Sequence, residues 1–178
     1  MAHSQNHEAK SVSDITTFEL VALDELESPI TRQGADYWDS LRGTRRYPAR
    51  KELHPRDFSS ILRHMLLIKV VEGGSDFEFR IAGDAQVRAY SVPILSRRLS
   101  EIAQTSPVFC YGLRGMFLHV TETGAPVAIR GRIGPIFFNV QYAFYESLVL
   151  PLGDGDNAVD HLLVFSTYVS RAFAGSAS

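Results

Sequence analysis

The stretch Met65-Leu66-Leu67-Ile68-Lys69-Val70-Val71-Glu72-Gly73-Gly74-Ser75-Asp76-Phe77-Glu78-Phe79-Arg80-Ile81-Ala82 decides how the rest of the chain is read. Its first seven residues are apolar except for Lys69, the mark of a strand covered on both faces or central in a sheet. Gly73-Gly74 supplies a turn. Beyond it Phe77, Phe79 and Ile81 alternate with Glu78 and Arg80, the two-residue period of a half-buried antiparallel partner. The two runs make a β-hairpin, and a sheet becomes the frame for everything else.

Towards the C-terminus, short helical pieces lie between Asp84 and Ala103, broken by Pro93. Ser106-Pro107 opens a longer helix with Val108, Tyr111, Leu113, Phe117, Leu118 and Val120 as apolar positions, and Gly124 ends it. Strands are expected over Val127–Ile133, Ala143–Leu152 and His161–Tyr168, the last two joined by a Gly/Asp/Asn turn from Gly153. Phe137–Tyr142 either extends the first of these or loops over it. Towards the N-terminus, residues 15–30 read ambiguously as strand or helical turn, and Pro29 interrupts them. Thr31 then caps a helix through about Gly43, with Ala35, Trp38 and Leu41 at three-residue spacing and Tyr37 sharing part of the face. An Arg-rich connection follows, and His54-Pro55 opens a second short helix with Phe58, Ile61 and Leu62 inward. Strands on both sides of a helical block give the α+β class: a five-stranded antiparallel sheet with helices on one face and an N-terminal helical extension. The expected divisions are a leader and N-terminal segment over 1–30, the helical extension over 31–63, the sheet-bearing core over 64–170, and a tail over 171–178.

The chain has 178 residues, 45% hydrophobic and 21% charged, with a formal net charge of −2. That is ordinary for a globular domain and excludes a wholly disordered chain, a collagen or a coiled coil. A charge so near zero argues against whole-surface binding to nucleic acid. The single cysteine, Cys110, permits no intrachain disulfide and no multi-cysteine metal site. No apolar run approaches the ~18 residues that cross a bilayer, and residues 1–10 lack a signal peptide's pattern, so a cytoplasmic location is expected.

Order and local text together resemble a known family. Two strands, short helices, one long helix and three strands is the element order of a PAS domain. The chain is similar to a bacterial PAS-like family of alphaproteobacterial type in Tyr37-Trp38, Leu41-Arg42-Gly43, Arg45-Arg46-Tyr47-Pro48-Ala49-Arg50, His54-Pro55, Phe79-Arg80-Ile81-Ala82-Gly83 and Glu146-Ser147-Leu148-Val149-Leu150-Pro151-Leu152. The resemblance covers roughly residues 35–170. It implies a stand-alone sensory or regulatory module without catalysis, signalling through a protein partner, and it carries no catalytic residues to transfer. Modules of this kind often use flanking helices for association, so Tyr37, Trp38 and Leu41 are the expected homodimer or partner element.

A helix-covered sheet can enclose a ligand cavity. The candidate lining is Tyr90, Tyr111, Arg114, Phe117, Arg130, Arg132, Tyr145 and His161, among the aromatics Phe109, Phe137, Phe138, Tyr142 and Phe144. The plainer alternative is that these aromatics fill a core. Arg130 and Arg132 sit two apart on a strand and share a face. If that face is inward they need an anionic ligand or Glu146 on the neighbouring strand; if outward they are solvated. The six histidines show no ligand spacing, and His119 is the least poor haem candidate. Cys110 lacks the surroundings of a flavin-adduct thiol. No metal, haem or flavin is therefore expected. Arg42 to Arg63 holds seven basic residues against two acidic, while Glu19 to Asp39 holds six acidic against one basic. The blocks either pair with each other or form a dipolar docking surface. Two other functions stay open: a small enzyme using Glu146 with Arg130 or His161, and nucleic-acid binding through Arg42–Arg63. No phosphate-loop, dinucleotide, serine-hydrolase or metalloprotease motif is present.

Overall fold

The hairpin forms as read. Strands β2 (Met65–Val71) and β3 (Asp76–Ala82) pair antiparallel, and Gly73 (φ +67°) and Gly74 (φ +107°) carry the turn in a region that side chains disfavour. The computed structural model describes residues 17–90, 92–132, 142–155 and 158–170. The other elements are strand β1 (Thr17–Val21), helix α1 (Pro29–Arg42), helix α2 (Asp84–Ala89), helix α3 (Leu99–Ala103), helix α4 (Pro107–Thr123), and strands β4 (Val127–Arg132), β5 (Tyr142–Leu152) and β6 (His161–Ser170). The sheet order is β1-β4-β5-β6-β2-β3, with every neighbouring pair antiparallel. The class is α+β, as expected.

The sheet has six strands rather than five. The extra one, β1, forms the edge beside β4, with Glu19 opposite Arg130 and Val21 opposite Ala128. Its own residues misdirect: Val21 is buried, while Phe18 and Leu20 are 69% and 76% exposed. Five residues hold too few periods to fix either type or face, and pairing with β4, more than a hundred residues away, settles both.

Nor do the helices keep to one side. Cross-strand partners share a face, and successive residues alternate. Phe79 lies opposite Ile68, and Ile68 opposite Leu162, so these three define an inner face. There Phe117 of α4 meets Phe77 and Phe79, with ring centroids 5.4 and 6.4 Å away. Phe165, three residues beyond Leu162, points to the outer face. On that side the Phe58 ring stands 6.0 Å away, and a Cβ added at Gly34 of α1 would lie 2.4 Å from Phe165 Cδ2. Helix α1 therefore crosses the outer face, while α3 and α4 pack on the inner one. Residues 29–63 cover the sheet rather than stand apart from it.

Local chemistry explains the helix ends. Ser28, not Thr31, caps α1, its hydroxyl accepting from Ile30 N at 3.2 Å, and Pro29 takes the first helical position, where its missing N–H is no loss. Gly43 (φ +56°) stops the helix. Pro107 opens α4 and Gly124, left-handed, closes it. The helix expected from His54 is instead a run of turns ending in a single 3-10 turn, Leu62–His64; its Phe58 and Ile61 are buried as expected, and Leu62 is exposed. Residues 137–141 of the Phe137–Tyr142 stretch, residues 1–16 and the tail lie outside the described residues.

Candidate functional site

Strand β5 carries chemistry on both faces, because Tyr145, Glu146 and Ser147 alternate inner, outer, inner. Glu146, 2% exposed, looks outward to the start of α1. Its carboxylate accepts from Glu27 N and Ser28 N, each at 3.0 Å, and from the Thr31 hydroxyl. These are the amides that precede the first turn, and the positive end of the helix adds to their attraction. Arg130, directly across on β4, brings Nη1 to 3.9 Å from Glu146. The same guanidinium contacts Glu27 and reaches Glu19 at 3.4 Å. Burial alone would push the Glu146 carboxyl up. The Thr31 hydroxyl, the two amides and Arg130 outweigh burial and hold it below its ordinary value. Glu146 is thus an ionised latch between sheet and helix.

Farther along, Trp38 completes the docking. It is 4% exposed, and its indole N–H donates to Pro151 O at 2.8 Å. Tyr37 lies half-buried against Phe58, centroids 4.7 Å apart, and its hydroxyl accepts from His54 N at 2.9 Å. Leu41 is half-buried. Of the three residues of the expected association element, Trp38 is engaged by the chain's own sheet, while Tyr37 packs on Phe58 and Leu41 stays half-buried. Apolar spacing announced a buried face of α1 but could not say whether the burying surface belonged to the same chain.

The inner face carries a neutral hydrogen-bonded cluster. Gln86 of α2 donates to His64 O at 2.6 Å and Ser166 O at 3.2 Å, and its carbonyl accepts from the Tyr168 hydroxyl at 3.3 Å. Ser147 donates to Ser166 Oγ at 2.8 Å across β5 and β6. Tyr90 packs against Phe79 and hydrogen-bonds with Tyr168. Burial, then Tyr168, drives the Tyr90 hydroxyl well above its ordinary value. Tyr145 lies opposite Tyr168 in register, and burial raises its hydroxyl too. Cys110 is buried near Tyr90, and burial pushes its thiol up against the opposing pull of Arg97, which favours the protonated form. The hydrogen-bonding side chains Gln86, Ser147, Ser166 and Tyr168 are neutral, and the His64 ring meets them at Ser166 O, 3.3 Å from Nδ1.

The remaining candidates are dispersed. Phe117 is fully inside, packed on Phe77 and Phe79 as core. Tyr111 is 84% exposed on the far side of α4, so it lines no interior. Arg114 is also exposed and ties α4 to the hairpin turn through Ser75 O at 2.9 Å. Arg132 is exposed at the end of β4, on the outer face that it shares with Arg130. Both leave the interior for the same reason: β4 pairs Arg130 with Glu146, which α1 has already turned outward. His161 pairs with Asp160 at 2.7 Å and sits opposite Leu152, six residues from Glu146 along β5, or about 20 Å. The acid–base pair Glu146–His161 does not form, and the Glu146 carboxylate oxygens are already accepting from Glu27 N, Ser28 N and the Thr31 hydroxyl. Phe137 and Phe138 lie outside the described residues.

The charged blocks do little of the mutual pairing expected of them. Arg42 meets Asp39, but Arg45 pairs with Glu52, Lys51 with Asp154, Arg63 with Asp84, and Arg46 donates to Thr123 O. Glu19 and Glu27 are taken by Arg130. The basic segment is therefore mostly occupied within the chain rather than laid out as a phosphate track. Among the described residues no group of His, Cys, Asp and Glu is placed to hold a metal ion, and no helix is long and apolar enough to cross a membrane.

A family model described as PAS domain matches residues 26–100. The match begins at Leu26, just before α1, and runs through the hairpin to α3, so α1 lies inside the matched region. No curated protein and no solved structure matches the chain. The match supports a PAS-like domain and, with it, a sensory or regulatory module.

Sequence reasoning missed Gln86, Tyr168, Ser147 and Ser166 on the inner face, and on the outer it read Thr31 as a helix cap rather than as a donor to Glu146. A signal for the strand residues existed: Ser166 and Tyr168 share the period-2 face of β6, and Tyr145 and Ser147 that of β5. For Gln86, on a six-residue helix, there was none.

Proposed function

We propose that this chain is a PAS-like regulatory module in which a small neutral ligand, or a change of packing, on the inner face of β5 and β6 is transmitted to α1 on the outer face and read there by a protein partner. The observation that supports it is the alternation of Tyr145, Glu146 and Ser147: two inward groups belong to, or adjoin, the neutral cluster, and the residue between them latches α1. A strand shift that re-forms inner hydrogen bonds must move the Glu146 carboxylate against the amides of Glu27 and Ser28. The ligand chemistry that suits the cluster is an uncharged molecule with hydrogen-bonding edges, because the side chains that would meet it, Gln86, Ser147, Ser166 and Tyr168, are neutral donors and acceptors. The partner contacts the exposed side of α1, Trp38 being occupied. The motifs quoted above favour a bacterial source.

Native mass spectrometry of the purified chain, followed by a thermal-shift screen of small acids, amides and nucleosides, tests the ligand half. A retained species, or a stabiliser that also changes amide exchange in α1, supports the reading. No retained species and no stabiliser removes the ligand and leaves a module that acts through its surface alone.

A further inference from the structure

An open groove of about 580 Å³ runs between the exposed flank of α1 and the turn that joins α4 to β4. Leu23, Ala35, Pro126 and the edge of Trp38 give it an apolar floor. Asp24 and Asp36 stand on its walls, both exposed, and neither carboxylate has an ion pair or hydrogen bond among the described residues. The two arginines that line it are already engaged: Arg42 pairs with Asp39 and lies 5.3 Å over the Trp38 ring, and Arg46 donates to Thr123 O. Thr123 and Gly124 also bring the C-terminal end of the 17-residue α4 to the groove, its terminal carbonyls taken up by Arg46 at Thr123 O and by Gly124 N at Val120 O. The apolar floor and the two unmatched carboxylates together make a surface that favours a cation beside an apolar group.

We propose that this groove docks a segment of a partner protein in which an Arg or Lys stands beside an apolar residue, the cation meeting Asp24 and Asp36 and the apolar side chain covering Leu23, Ala35 and Pro126. This names the site and chemistry of the partner contact and rests on the regulatory reading above. Because the groove is built on α1, whatever loosens the Glu146 latch also alters the groove, and docking becomes the readout of the module.

Fluorescence anisotropy with a labelled synthetic peptide of alternating leucine and arginine, and a leucine–glutamate peptide as counterpart, tests it on the full chain at low and at 0.3 M salt. The expected result is saturable binding of the basic peptide only, weakened by salt and at least tenfold weaker in the D24N/D36N and D24K/D36K variants. D57K, at an exposed position in the turns after α1 that does not line the groove, should bind as the parent does. The asparagine pair keeps side-chain volume, so its loss of binding at an unchanged melting temperature separates charge from misfolding. No binding, equal binding by all variants, or equal binding of the acidic peptide overturns the proposal. Two further outcomes also overturn it, by giving the groove another occupant: self-association abolished by D24N/D36N, and a gain in peptide affinity on removing residues 1–16. The thermal-shift screen reads the inner cluster and is untouched by these variants, so the groove and the ligand reading fail separately.

Discussion

Replacing Glu146 isolates the latch between sheet and helix. Three donors converge on its carboxylate, the amides of Glu27 and Ser28 at 3.0 Å and the Thr31 hydroxyl, with Arg130 3.9 Å away. A hydrogen bond to a charged group contributes about 1.5–3 kcal/mol, but bonds in one network do not add, and breaking a buried ionic network loses about 3–5 kcal/mol. Glu146→Ala sits at the lower end, about 3 kcal/mol, since Arg130 retains Glu19 and Glu27. At about 2–4 °C per kcal/mol for a chain of this length, E146A should melt about 10 °C lower. Glu146→Gln keeps the volume and an acceptor but turns an N–H toward a donor, and should lose about half as much. The latch also has a pH signature. The folded carboxyl titrates below its ordinary value, so its contribution is full above the unfolded pKa of about 4.3 and disappears as pH falls through the folded one. Thermal melts followed by circular dichroism from pH 3 to 8 should show parent and E146Q farthest apart above pH 6 and converging in acid, while hydrogen exchange localises the loss to α1. An E146A melting point equal to the parent's, or a parent-to-E146Q gap that persists unchanged at pH 3, would refute the latch.

Other predictions bear on the same frame. Gly34→Ala gains about 1 kcal/mol of helix propensity, but its Cβ would stand 2.4 Å from the fully buried Phe165 ring, so a net loss of about 1–3 kcal/mol is expected, and a raised melting temperature would show that α1 is not seated as described. Trp38→Phe removes the donor to Pro151 O and part of the packed ring; chemical denaturation should show about 2–3 kcal/mol lost, and an unchanged midpoint would remove Trp38 from the docking. His64 is held below its ordinary value, first by burial and then by Arg63, against the pull of Ser166 O. The unfolded chain therefore binds the proton more readily, and stability should rise with pH through about 6.5; His64→Gln should flatten that slope, and a slope unchanged in the variant would locate the effect elsewhere. Tyr111→Ser, on the exposed side of α4, should leave stability and any ligand shift unaltered, and a lost ligand shift would return Tyr111 to the site.

Much of the architecture was legible because it rests on local chemistry. The β2–β3 hairpin declares itself through period and Gly73-Gly74, and α4 through Pro107 and Gly124. What was not legible depends on partners far along the chain. Strand β1 is decided by β4 and Glu146 by the approach of α1; nothing in Phe18-Glu19-Leu20-Val21 or in Tyr145-Glu146-Ser147 names those partners. Trp38 shows the same limit from the other side. Its spacing identified a buried face correctly, yet an apolar helix face is equally satisfied by a second chain and by the outer side of its own sheet. The arginines illustrate it in electrostatic form: Arg130 and Arg132 share a face as their spacing required, but which face followed only from register.

The outward turn of Glu146 has a consequence for how such a module can respond. A sheet with helices on one face alone could absorb a ligand by adjusting those helices, with nothing on the other side to report it. Here the second face is occupied, and the occupant is held by one ionised group rather than by apolar contact alone. Apolar contacts at Gly34, Phe58 and Trp38 change smoothly with small displacements, whereas the carboxylate must keep three donors within hydrogen-bond reach, a condition met over a few tenths of an ångström and lost beyond it. The apolar seat therefore keeps α1 on the sheet while Glu146 sets its register. Strain on β5 from the inner face would be expressed first as a change in how the start of α1 is held, so under the regulatory reading proposed above the response is expected at the end of the helix nearest Asp24.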